Sequence, residues 1–101
     1  MMGVESVAIT LLLQELPDRY YTVRLHFAEP DDVRAGERVF DVTLQGHRVL
    51  EQFDIVKEAS RPRKAIIREF RHIPVDDELR LSFHAETKRG AIICGVEVVQ
   101  E

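Results

Sequence analysis

Period-two alternation runs through most of this chain and confines it to a sheet protein. Tyr21, Val23, Leu25 and Phe27 alternate with Tyr20, Thr22, Arg24 and His26. Phe40, Val42 and Leu44 alternate with Asp41, Thr43 and Gln45, and Leu79, Leu81 and Phe83 with Arg80, Ser82 and His84. Near the C-terminal end Ile92, Cys94, Val96 and Val98 alternate with Ile93, Gly95, Glu97 and Val99. Successive strand residues point to opposite faces, so each run buries one face and wets the other. Residues 4–13 and 65–73 share the β-rich composition. In the latter, Ile66-Ile67 followed by Phe70 breaks the phase and predicts a bulge near Arg68-Glu69.

The breaks carry turn chemistry. Leu16-Pro17-Asp18 reads as a short turn, and residues 29–36 as a polar loop opened by Pro30. Gln45-Gly46 needs a positive φ at Gly46, while Pro74-Val75-Asp76-Asp77 and Lys88-Arg89-Gly90 complete the set. No segment of about ten residues shows a helical stripe. Six or seven strands with turns every 8–12 residues indicate one all-β domain over residues 1–101, an antiparallel β-sandwich.

Composition narrows the function. The chain has 101 residues and a net charge of -4, which argues against a nucleic-acid partner. No apolar run is long enough to insert in a membrane. Residues 7–13 lack a basic flank and a cleavage site, so they read as a strand and no signal peptide is expected in this chain. Charge is uneven: residues 57–71 carry six basic and two acidic side chains. That patch reads as a solvated loop and strand edge that could meet phosphate or an acidic partner.

No catalytic set emerges. Cys94 falls in core phase, where apolar surroundings raise a thiol pKa and quench its reactivity. His26 and His84 lie on the non-core faces of their strands and could approach across a sheet, but no ligand pair has metal-site spacing. The acid pairs Asp31-Asp32 and Asp76-Asp77 sit in turns, and the glycines form no phosphate loop. The expectation is therefore a protein that is not an enzyme, with no metal and no cofactor.

A resemblance adds to this. Tyr21-Thr-Val-Arg-Leu-His-Phe-Ala-Glu29 resembles the signature strand of the malectin family. Arg38-Val-Phe-Asp-Val42 with Gly46, Phe53-Asp54-Ile55 with Ala59, Leu79-Arg-Leu-Ser-Phe83 and Ile93-Cys-Gly-Val-Glu-Val98 resemble its later pieces, in order. The agreement covers about four fifths of the chain, from Tyr20 onward. The resemblance implies a jelly-roll-like sandwich, a noncatalytic carbohydrate-binding or accessory role, an oligosaccharide partner and an extracytoplasmic setting beside flanking domains. The family pattern also has a glycine-rich N-terminal part that supplies tyrosines to the sugar site, and the chain resembles a short form lacking it. Where the family carries adjacent aromatics, this chain has Pro30-Asp31-Asp32. Where the family has an acidic residue before the last strand, it has Lys88-Arg89-Gly90.

Sugar sites stack a pyranose face on an exposed ring and fix its hydroxyls with planar polar groups. Tyr21, Phe27, Phe40 and Phe83 are in core phase and Phe70 joins them, which leaves Tyr20 and Phe53 as platforms. The expected ligand residues are Tyr20, Glu29, Asp31, Asp32, Phe53, Lys88 and Arg89. The alternative is a structural or protein-interaction sandwich without a sugar site. It would present an apolar surface around Leu11, Leu12 and Leu13 to a partner or to a second copy in a homodimer.

Overall fold

A computed structural model describes residues 6–12, 19–76 and 78–101. Seven strands appear: β1 (Ser6–Leu12), β2 (Arg19–Phe27), β3 (Phe40–Leu44), β4 (His47–Phe53), β5 (Ile66–Val75), β6 (Glu78–Ala85) and β7 (Gly95–Gln100), with one short helix, α1 (Ile55–Ala59), between β4 and β5. They form two antiparallel sheets, β1-β6-β3-β4 and β5-β2-β7, so the chain is an all-β sandwich. The proposed turn at Leu16-Pro17-Asp18, Leu13 and Asp77 lie outside the described residues, and of Leu11 and Leu12 only the backbone, in β1, is described.

The alternation selects the core directly. Tyr21, Val23, Leu25 and Phe27 from β2 meet Phe40, Val42, Leu44, Leu79, Leu81 and Phe83 from the facing sheet, all at or near zero exposure. Each such apolar side chain contributes about 1.5–3 kcal/mol when removed from water. Phe27 and Phe53 stand 4.7 Å apart between ring centroids, and Phe40 packs against both and against Phe83. Phe70 is half-buried against this cluster.

Gln45 (φ 51) and Gly46 (φ 80) form a two-residue turn between β3 and β4. Both central residues have positive φ, as a type I′ hairpin requires, and this twist suits the flanking strands. The β5 bulge falls later than the alternation suggests. Arg71 and His72 together oppose Thr22, between the pairs Val23↔Phe70 and Tyr21↔Ile73, and His72 takes φ 57. Arg68 explains the shift: it occupies an inward position at the sheet margin, its guanidinium 5.5 Å above the Phe53 ring, and leaves Ile67 outward. A cation over a ring face substitutes for the apolar residue that the phase demands.

Three other sequence expectations are corrected. Cys94 is exposed: it precedes β7 and donates its backbone N–H to the His26 carbonyl at 2.8 Å, while Ile92, Val96 and Val98 of its run pack on the core. His26 and His84 do not approach, because β2 and β6 belong to different sheets and the two side chains face outward on opposite sides. Asp41, in solvent phase, is buried, where its carboxylate accepts the Gln52 N–H at 2.8 Å and satisfies a β4 irregularity at φ 50.

Candidate functional site

Two regions at opposite ends of β2 present candidate chemistry. The first is a polar rim where the β2–β3 loop, the α1–β5 connection and the β6–β7 loop meet. Its centre is Arg38, buried at 4% exposure, against Glu29 at 0%. Arg38 Nε donates to Glu29 Oε1 at 2.6 Å and Nη2 to Oε2 at 3.3 Å, while Nη1 reaches the Arg89 carbonyl at 2.6 Å. The Glu29 carbonyl accepts the Arg63 N–H at 2.8 Å. One forked ion pair thus ties three loops together, since a guanidinium donates in several fixed directions at once.

Asp54 adds a second tie. It caps α1 by accepting the Lys57 N–H at 3.1 Å, and its other oxygen accepts the Gly36 N–H. Gly36 has φ 90, a backbone state that glycine reaches without strain. The Val39 N–H donates to Thr87 Oγ1 at 3.3 Å, and the Glu86 N–H to the Val39 carbonyl at 2.8 Å. No buried side-chain nitrogen or oxygen among the described residues lacks a partner. The rim is therefore held in one geometry before anything binds.

Of the expected ligand residues, Glu29, Asp31, Asp32 and Arg89 converge here with Lys88 beside them, and burial takes Glu29 out of the set. Glu29 faces inward and its carboxylate is spent on Arg38, so it presents nothing to a ligand. Asp32 pairs with Arg63 at 2.8 Å, and Asp31 lies 3.8 Å from Arg38. Lys88 and Arg89 are exposed. Phe53 is no platform: at 5% exposure it is sealed among Phe27, Phe40 and the Arg68 guanidinium. Arg38 is the organising residue absent from the expected set, because the β3 run is read from Phe40 onward. The available signal was phase: Arg38 stands two residues before Phe40, in step with the inward set Phe40, Val42 and Leu44.

The second region holds Tyr20, which β2 carries roughly 30 Å from Glu29 at about 3.3 Å per residue. Tyr20 is 48% exposed, and its ring lies parallel to His72 at 3.8 Å between centroids and 8° between planes. The His72 N–H donates to Glu101 Oε2 at 2.6 Å, and Thr22 Oγ1 donates to the same oxygen at 3.0 Å. The bulged backbone N–H, aided by the His72 ring and Thr22, holds the Glu101 carboxyl below the usual carboxylate range. Next to it, hydrogen bonds from Arg24 and then Arg71 hold Glu69 low as well.

This ring pair is a ridge between two grooves. His72 lines one of about 370 Å³ on the outer face of the three-stranded sheet. Tyr20 lines the larger, of about 780 Å³, with Pro74, Asp76, Arg80, Thr43 and Ser82. Its wall is fixed by the Gln45 amide, which donates to the Pro74 and Glu78 carbonyls at 2.9 and 3.1 Å and accepts the Arg80 N–H at 2.7 Å. Among the described residues no group of three His, Cys, Asp or Glu side chains is arranged to hold a metal ion.

Comparison with known proteins supplies the lineage. Receptor-like protein 4 of Arabidopsis thaliana is 39% identical over 61 residues, covering 58% of this chain and 10% of that protein. The chain thus spans about a tenth of that curated relative. A chain in the complex of the plant peptide RALF23 with FER and LLG2 superposes with a TM-score of 0.78 at 20% identity, over 94% of this chain and 27% of that one. Bacteroides uniformis beta-glucuronidase 2 gives a TM-score of 0.71 at 18% identity, over 96% of this chain and 10% of the enzyme. At such identities the two structural likenesses show a shared frame alone. The family model for the malectin domain matches residues 9–100, nearly the whole chain, and with the two-sheet frame described above the chain belongs to the malectin domain family.

Proposed function

We propose that this malectin domain is a noncatalytic binding module of a larger extracytoplasmic protein, and that it takes carbohydrate in the Tyr20 groove. The observation that carries this reading is the Tyr20 ring, exposed where every phenylalanine and Tyr21 is buried or half-buried, standing at a groove with room for a saccharide. His72 covers one ring face, and a pyranose C–H face stacks on the other. The Thr43 and Ser82 hydroxyls and the planar Asp76 and Arg80 groups then fix the sugar hydroxyls. The extracytoplasmic setting draws support from the receptor-like relative, and the larger parent protein from the tenth of that relative's length that the chain spans.

Amide NMR titration with methyl glucosides and glucose-terminated oligosaccharides tests the assignment. Shifts at Tyr20, Gly46 and Asp76 that vanish in Tyr20→Ala and persist in Tyr20→Phe are expected. No response at millimolar sugar, or shifts confined to residues 29–36 and 88–90, would sink it. A second reading, as a protein-interaction module, draws on the frame's recurrence in a complex that contains a peptide, and on the charge of the rim.

A further inference from the structure

The basic segment between α1 and β5 remains unused by the carbohydrate reading. It does not stand alone. The Arg63 N–H donates to the Glu29 carbonyl and the Arg38 guanidinium to the Arg89 carbonyl, so the 61–64 loop and the 88–90 turn flank the same buried ion pair. Arg61, Arg63 and Lys64 from one side and Lys88 and Arg89 from the other are brought to a single rim, all exposed. Among the described residues Arg61, Lys64, Lys88 and Arg89 have no carboxylate within ion-pair distance, while the exposed Asp32 is already committed to Arg63.

We propose that this rim is a docking surface for an acidic segment of a partner polypeptide. Charge complementarity names the occupant's sign, since unpaired cations on a fixed frame attract and orient carboxylates. The layout names its size. The cations are spread over two separate loops, and neither groove lies among them, so the surface fits an extended chain rather than a single ion. The net charge of -4 favours a short acidic segment confined to the rim over a long, densely charged polyanion such as nucleic acid, whose repulsion by the rest of the molecule grows with its length. Preorganisation of the loops by Arg38 and Asp54 lowers the ordering cost of binding.

The test is independent of the Tyr20 groove. A short synthetic peptide of alternating glutamate and serine is titrated into the labelled protein at low salt. Matched lysine-serine peptide and inorganic phosphate run in parallel. Shifts at residues 61–64 and 88–90 with the acidic peptide, weakened by added salt, are expected. The double variant Lys88→Glu with Arg89→Glu reduces affinity by about tenfold or more, whereas Tyr20→Ala leaves it unchanged. Arg38 is held by the Arg89 carbonyl, not its side chain, so the variant keeps the rim folded, and its unchanged melting temperature checks this. Absence of shifts, equal shifts with phosphate, or indifference to the charge reversal overturns the proposal.

Discussion

The two ends of β2 are built on opposite principles. At the rim, polar groups are buried and fully matched: Glu29, Arg38 and Asp54 spend their bonds on backbone and on one another, and exposed charge rides on top. At the Tyr20 end, an aromatic ring stands exposed against a bulged histidine, and the polar groups that steady it lie at the surface. The first arrangement places its stability inside and leaves the surface free to vary. The second exposes the group with binding potential and braces it weakly. Loss of a single side chain should therefore cost stability at the rim and binding at the groove.

The largest effect expected is from Arg38→Ala. It strands the Glu29 carboxylate in the interior, and removing one partner of a buried pair costs about 3–5 kcal/mol. Chemical denaturation should show this loss, together with increased hydrogen exchange at residues 29–39 and 86–90; a change under about 1 kcal/mol would mean the rim is not held by this pair. Next comes Asp54→Ala, which removes the α1 cap and the acceptor of the Gly36 N–H, for about 1–3 kcal/mol. Its readout is the denaturation midpoint, and Asp54→Asn should recover part of the loss.

Tyr20→Ala sits lower on the stability scale. An aromatic pair adds about 0.5–1.5 kcal/mol beyond area, so the melting temperature should fall only slightly while saccharide shifts disappear. A large unfolding effect with sugar binding retained would reverse the contrast between the ends. The smallest effect concerns acid. Glu69 and Glu101 have folded pKa values below the ordinary carboxylate value. Their contribution is present above that ordinary value and is lost as pH falls through the lowered one. Both lie at the surface, so the slope is shallow, and Glu101→Gln should flatten it in an acid titration of the melting temperature.

The sequence's legibility follows the same divide. Alternation identified β2, β3 and β6 and their inward residues, because both flanks of those strands are paired and a one-residue slip would expose the whole core face. It failed at margins. Arg68 faces inward because a guanidinium can lie on the Phe53 ring, and the bulge therefore sits at Arg71-His72. Cys94 keeps core phase but precedes the β7 ladder, where the phase no longer binds it. At the rim, proximity in sequence located Asp31, Asp32, Lys88 and Arg89 near one another only through family order. The inward turn of Glu29 depends on Arg38, nine residues away, and no local pattern encodes that partnership. Tyr20 was readable as an exposed ring, but its distance from the loops follows from strand direction.

Among the described strands only the Gln45-Gly46 hairpin joins neighbours of one sheet; the other consecutive strands lie in different sheets. β1 pairs with β6 across more than seventy residues, Val7 opposite Phe83, and the central β2 needs β7 to complete its ladder. Closing such long loops comes before the reward of the contacts, which slows folding. During synthesis neither sheet can be completed until the last strands have emerged, so this module commits to its fold late and all at once.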